Sequence, residues 1–346
     1  MRSYSKINLG LCIGPPRPDG FHGLATIYQT VALHDVVKVT AVCTSGTPNA
    51  ISLTSNNQFV PASAKNTAWR MVESALAAMG VTAQVQIDID KRLPVQGGLG
   101  GGSANAVAAL IGLEHELAGQ VECPPLHDAV RLRLASEIGS DVPLFLVGGT
   151  VLGLGRGEDV HPLPDIPATH CVIAAPGVGV STPQAFRDWD ARHPAAQTLT
   201  NLATSDKVKG LSRSFAAALT SVPGEPHSSG VFSWREGLAE DPLLALVRTG
   251  IENDFEQVVF PKYPLLGDIK RLLAAPASDD PEHAAIYCAL SGSGSALFGL
   301  YRTEAAAEAA IQRVSTFGAH GTHAITAFRT KTLPRQEYWS SMVSGA

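Results

Sequence analysis

Residues 97–102 are glycine at every position except Leu99. Before them, Val85, Ile87 and Ile89 alternate with Gln84, Gln86, Asp88 and Asp90, the period of a half-buried strand. After them, Val107, Leu110, Ile111 and Leu117 fall on one side of a helix. A glycine loop between a strand and a helix is the layout of an anion site. Adjacent glycines let several backbone N–H groups turn toward one point with no Cβ in the way. The helix adds four unpaired N–H groups and a partial positive charge. Together they hold a phosphate without the help of a lysine. The plain alternative is a loop chosen for flexibility, but that role does not call for a strand before it and a helix after it.

Three familiar glycine motifs do not fit. No lysine follows the glycines, as a Walker loop requires. A dinucleotide fingerprint begun at Gly98 puts Ser103 in place of its third glycine, and begun at Gly100 it puts Asn105 there. The hydrolase elbow read from Gly101 through Ser103 also ends in Asn105.

At about 150 residues per domain, 346 residues make two domains. The turn-rich stretch from Gly148-Gly149-Thr150 to Gly157-Glu158 puts the division near residue 160, giving units 1–160 and 161–346. A β-branched strand is expected from Val36 to Val42, and a helix between an Asn66 cap and a Gly80 stop. Pro223-Gly224-Glu225-Pro226 and Ser228-Ser229-Gly230 mark a long surface loop, and a second glycine cluster runs from Ser291 to Ser295.

The 26 Lys+Arg against 31 Asp+Glu leave a net charge of -5, so there is no basic excess and no nucleic-acid partner is expected. No apolar run nears the roughly 18 residues of a span, so no membrane partner is expected either. Ile7 to Ile13, broken by Asn8, does not read as a signal peptide. The five cysteines are odd in number and form no Cys-x-x-Cys pair. That argues against a disulfide scaffold or a cysteine zinc site, and for reduced thiols in a cytoplasm.

Pro94 through Ala106, centred on Gly98-Leu99-Gly100-Gly101-Gly102-Ser103, resembles the long motif of the galactokinase–homoserine–mevalonate–phosphomevalonate (GHMP) kinase superfamily. Ser5-Lys6-Ile7-Asn8-Leu9 resembles its first motif, and Leu290-Ser291-Gly292-Ser293-Gly294-Ser295-Ala296 its third. The resemblance implies a two-domain α+β fold. The N-terminal ATP-binding domain would be like the second domain of ribosomal protein S5, the C-terminal domain ferredoxin-like, and the substrate would lie between them. Arg17-Pro18-Asp19-Gly20-Phe21-His22, Gly139-Ser140-Asp141-Val142-Pro143 and Asn253-Asp254-Phe255-Glu256 are similar to one branch of that superfamily. That branch uses ATP to phosphorylate the 2-hydroxyl of a cytidine-diphosphate ester of methylerythritol, a small molecule on the non-mevalonate route to isoprenoid precursors. Departures are Ser5 for alanine, Gln96 for a small residue, Phe21 where tyrosine is common, and a longer stretch between Phe186 and Asn253.

The resemblance makes Asp141 the general base, with Lys6 keeping it ionised and steadying the transferring phosphoryl charge. It places Pro94, Gly97, Gly98, Leu99, Gly100, Gly101, Gly102 and Ser103 at the ATP phosphates, and Asn66 and Lys91 at adenine. It assigns Asn8 to the erythritol end, His22 to the cytosine edge, and Phe21 and Phe186 to the two sides of the ring. Gly292 and Gly294 bring the third motif to the substrate. Mg²⁺ is expected with ATP, held by no residue readable from spacing. Without the resemblance, Asp141 reads as a turn aspartate, Lys6 as a surface lysine, Asn66 as a helix cap and Phe186 as core. Two other functions compete: a different kinase of the superfamily, and a non-catalytic nucleotide-binding regulator. The Arg17–His22 stretch and Phe186 argue against the first, and Lys6 with Asp141 against the second.

Overall fold

Strand β1 (Arg2–Pro16) pairs antiparallel with β2 (His22–Cys43), the longest strand among the described residues. A computed structural model describes residues 1–17, 20–45, 47–95, 97–120, 125–194, 251–274, 284–320 and 324–343. Pro18, Asp19, Gln96, Cys123 and the surface loop expected over 223–230 lie outside the described residues.

The strand expected over Val36–Val42 is only the second half of β2. From Val37 to Val42 buried and exposed residues alternate, because one face meets solvent. From Ala25 to Val31 every residue is buried. Ile27 and Tyr28 enter different apolar clusters, so this half has a core on each face and shows no period in sequence.

Strands β3 (Ala50–Ser55), β4 (Ala83–Asp90), β5 (Thr150–Leu154) and β6 (Asp159–Pro162) complete a sheet of order β3-β4-β2-β5-β6, with β1 added on β2. Helices α1 (Thr67–Met79), α2 (Gly101–Leu117), α3 (Asp128–Ile138) and α4 (Val142–Val147) bury their apolar sides against it. Asn66 caps α1 by accepting the Ala68 N–H at 2.9 Å, and Gly80 ends it at φ 69°.

A second sheet has the order β10 (Ile325–Lys331), β7 (His170–Pro176), β9 (Leu297–Tyr301), β8 (Tyr287–Leu290), antiparallel throughout. Helices α5 (Thr182–Arg192), α6 (Glu256–Lys262), α7 (Pro264–Ala274) and α8 (Glu304–His320) accompany it, giving an α+β fold with two sheets. Helix α9 (Arg335–Met342) returns to the first layer, where the Tyr338 hydroxyl donates to the Phe145 carbonyl at 2.7 Å.

Backbone bonds tie β1 to the segment before α6. Leu11 N–H donates to the Glu252 carbonyl at 3.0 Å, and Asp254 N–H to the Leu11 carbonyl at 2.9 Å. Among the described residues no helix is long and apolar enough to cross a membrane.

Cys43, Cys171 and Cys288 are free thiols. Burial pushes the Cys171 thiol far up, and pushes Cys288 up to about 12. A thiolate is the reactive form. Cys171 and Cys288 are therefore expected to resist iodoacetamide at pH 8 until the protein is unfolded. Peptide mass analysis reads this directly, and rapid labelling of either in native protein would contradict it.

Candidate active site

Alternation along β1 puts Lys6 and Asn8 on one face, and the Lys6 ammonium donates to Asn8 Oδ1 at 2.6 Å. The Lys6 backbone N–H donates to the Leu99 carbonyl at 3.0 Å, so β1 is fastened to the glycine loop. Asn8 in turn donates to Thr26 Oγ1 on β2 at 2.8 Å, which fixes its amide.

Asp141 stands immediately before α4, but its side chain does not cap that helix. Its Oδ2 lies 3.4 Å from the Lys6 Nζ, and its Oδ1 accepts the Tyr28 hydroxyl at 3.0 Å. The Asp141 side chain is 33% exposed and that of Lys6 only 3%, so the carboxylate is the member of the pair open to a substrate. Burial pushes the Tyr28 phenol well above its usual range, and the Asp141 charge adds to the shift. Tyr28 therefore stays a neutral donor to Asp141. Sequence reasoning missed it because it sits in the half of β2 that shows no period.

The three motifs meet through backbone contacts. Ala296 N–H donates to the Gly97 carbonyl at 3.1 Å, and Ser291 Oγ to the Gly98 carbonyl at 3.0 Å. Asn253 Nδ2 donates to the carbonyls of Leu290 at 2.8 Å and Gly292 at 2.7 Å. Gly98 has φ 75°, and a Cβ there would stand 2.1 Å from the Ser291 carbonyl oxygen. No other residue allows that approach.

Pro94, Gly97–Gly102 and Ser103 line a single cavity of about 340 Å³ with Asn66 and Lys91. The start of the 17-residue helix α2 faces it, so backbone donors and the positive helix end converge there. The amide of Asn66 is engaged on both ends, capping α1 and donating to the Pro61 carbonyl at 2.9 Å. Lys91 donates to Asp35 Oδ2 at 2.6 Å. Asp35 is fully buried and also accepts from the backbone of Arg92 and Leu93, each at 2.8 Å, and from Asn105 at 3.1 Å. Asp35 stands just ahead of the β-branched run Val36–Val42, and nothing in that spacing marks its partners.

A second cavity, of about 310 Å³, is lined by Lys6, Asn8, Phe21, His22, Asp141, Phe186 and Gly292. Gly98 lines both cavities, which therefore adjoin at the glycine loop. Gly294 does not line the second cavity; a Cβ there would meet Leu290. The aromatic arrangement differs from the expected pair of rings on either side of a base. His22 itself lies flat on Phe186, centroids 5.0 Å apart and planes at 9°, while Phe255 meets the Phe186 ring edge-on. Phe21 is 52% exposed, with the Arg156 guanidinium 5.1 Å from its centroid. The His22 ring stands between the Gly14 carbonyl, 2.8 Å from Nδ1, and Asp190, 3.3 Å from Nε2. Asp190 and Arg156 were not singled out in sequence, the first because it sits in ordinary helix surface, the second because it reads as part of a turn.

The model of the GHMP kinases N terminal domain matches residues 66–149, and that of the GHMP kinases C terminal domain matches residues 237–320. The 4-diphosphocytidyl-2-C-methyl-D-erythritol kinase of Solibacter usitatus (strain Ellin6076) is 37% identical over 313 residues, 90% of this chain and 84% of that protein. The kinase of the same name from Desulfitobacterium hafniense (strain Y51) is 30% identical over 93% of this chain and 94% of its own. Among solved structures, a 4-(cytidine 5'-diphospho)-2C-methyl-D-erythritol kinase superimposes with a TM-score of 0.63 at 25% identity, covering 96% of this chain and 99% of that one. A homoserine kinase from Cytophaga hutchinsonii shares the fold, with a TM-score of 0.64 at 19% identity over 97% and 96% of the two chains. With two glycine motifs interlocked around Lys6 and Asp141, and relatives this similar along nearly the whole chain, the protein belongs to the GHMP kinases, in the 4-diphosphocytidyl-2-C-methyl-D-erythritol kinase family.

Proposed function

We propose that the chain transfers the γ-phosphoryl group of ATP to the 2-hydroxyl of 4-diphosphocytidyl-2-C-methyl-D-erythritol, on the methylerythritol phosphate route to isoprenoid precursors. The observation that carries this is the junction of the two cavities at Gly98, with Asp141 and Lys6 lining the second. A phosphate chain cradled by residues 97–103 would end beside Gly98. An alcohol in the second cavity would then meet it with Asp141 at hand.

In that arrangement Asp141 takes the hydroxyl proton as the oxygen attacks phosphorus. Tyr28 and Lys6 hold the carboxylate in place from its two oxygens. Lys6, 2% exposed, faces the transferring group with little water to screen it. Phe21 would stack on the cytosine, with the His22–Phe186 pair lining the same end of the cavity. Residues 1–160 would carry the nucleotide, and residues 161–346 would bring the third motif and Phe186.

Mg²⁺ accompanying ATP would offset the phosphate charge during transfer. Among the described residues no group of three His, Cys, Asp or Glu side chains gathers to cage a metal. The Ser103 hydroxyl, which lines the nucleotide cavity, would help to hold it. The free thiols at Cys43, Cys171 and Cys288 suit a cytoplasmic enzyme.

The test is ADP release by the purified protein with MgATP, offered the cytidyl substrate, mevalonate and homoserine separately. Turnover is expected on the cytidyl substrate alone. Turnover on a different alcohol would overturn the cytosine pocket but keep the kinase. ATP binding without turnover on any of them would point to a regulator.

A further inference from the structure

We infer that Arg156 holds the diphosphate bridge of the substrate, and so makes the pocket select nucleotidyl alcohols over plain ones; the inference rests on the cytidyl reading above. Two cations line the second cavity, Lys6 and Arg156. Lys6 is engaged at the transfer end, with Asn8 at 2.6 Å and Asp141 at 3.4 Å. The bridge between cytosine and erythritol brings two negative charges into a cavity that already contains the Asp141 carboxylate. Those charges need a cation of their own, and among the described residues Arg156 is the other one lining this cavity.

Its position fits the bridge. Arg156 sits in the turn between β5 and β6, against the ring of Phe21 at the cytosine end. That turn is fixed to the catalytic end as well. The Leu24 N–H donates to the Gly155 carbonyl at 2.6 Å, and Gly157, at φ 107°, passes so close to Tyr28 that a Cβ there would lie 2.3 Å from its hydroxyl. Tyr28 is the donor to Asp141. Arg156 thus stands against the ring that would meet the base, on a turn packed against the donor to the catalytic carboxylate.

Glu158 holds the guanidinium by one edge, accepting its Nε–H at 3.1 Å. The terminal N–H groups of the planar fork match paired phosphate oxygens, which the point charge of a lysine does not. The arginine is therefore oriented before the substrate arrives.

The experiment compares wild type, Arg156→Ala and Arg156→Lys for binding of cytidine and of cytidine 5′-diphosphate by calorimetry, alongside KM for ATP and for the full substrate. Thermal unfolding checks that each variant folds. Wild type is expected to prefer the diphosphate, and Arg156→Ala to lose about 10- to 100-fold of that preference. Cytidine itself should bind nearly as before, since an exposed cation–π contact is weak. The loss should fall on KM for the full substrate more than on kcat, with KM for ATP unmoved and Arg156→Lys intermediate. Equal weakening of cytidine and its diphosphate would make Arg156 a prop for Phe21 and overturn the inference. A rise confined to KM for ATP would assign it to the donor phosphates and also overturn it. Wild type that binds neither cytidyl probe would sink the cytidyl reading itself, and the inference with it.

Discussion

Asp141→Asn is expected to lower kcat by about 10²- to 10⁴-fold, the usual worth of a positioned general base. That is roughly 3–5 kcal/mol of transition-state free energy. Asparagine has nearly the same shape, and its Oδ1 can still accept the Tyr28 hydroxyl now held at 3.0 Å. It cannot take a proton, and it leaves the Lys6 ammonium without the carboxylate 3.4 Å away. The glycine cradle is untouched, so ATP affinity should hold. With a third of the Asp141 side chain exposed, the fold should also hold. Steady-state kinetics with the cytidyl substrate, together with ATP binding by calorimetry, reads both. A kcat within tenfold of wild type would remove Asp141 from the role of base. Lys6→Ala combined with Asp141→Asn should cost far less than the sum of the single changes, because the two groups act as one unit.

What was legible in the sequence was what is local in the chain. The need for glycine at Gly98 arises from close backbone approach, and a run of glycines announces it without any knowledge of the partner segment. Lys6 and Asn8 were readable as a pair because two residues along a strand return to the same face. Asn66 and Gly80 were readable because caps act on their own helix. The residues that were missed act across the fold. Tyr28 meets Asp141 from a strand segment buried on both faces, where no alternation marks which side faces the site. Arg156 was hidden in a stretch whose glycines signalled a turn and, through it, a boundary. The turn is there, between β5 and β6, but it also aims a cation at the pocket. Phe186 shows the limit of an aromatic read in isolation: its face is taken by His22, a contact between residues 22 and 186 that no spacing could express.

Asp35 is where fold and site depend on one side chain, and Asp35→Ala is expected to cost about 3–5 kcal/mol of stability. Four donors converge on its buried carboxylate: the Lys91 ammonium, the N–H groups of Arg92 and Leu93, and the Asn105 amide. Alanine would leave the Lys91 charge, 6% exposed, with no partner in place. It would also leave two backbone donors unpaired in the stretch leading into the glycine loop, each at its own desolvation cost. Melting should fall by something on the order of 10 °C, read by calorimetry. The same change should raise KM for ATP, because Lys91 lines the nucleotide cavity and Asn105 stands in the first turn and a half of α2. Asp35→Asn separates the two effects. Its amide keeps the volume but turns N–H groups toward donors on at least one side, so it should destabilise less than alanine and still loosen Lys91. A melting temperature for Asp35→Ala within about 2 °C of wild type would show that the carboxylate does not organise this corner. The two glycine motifs would then have to be held by their mutual backbone bonds alone.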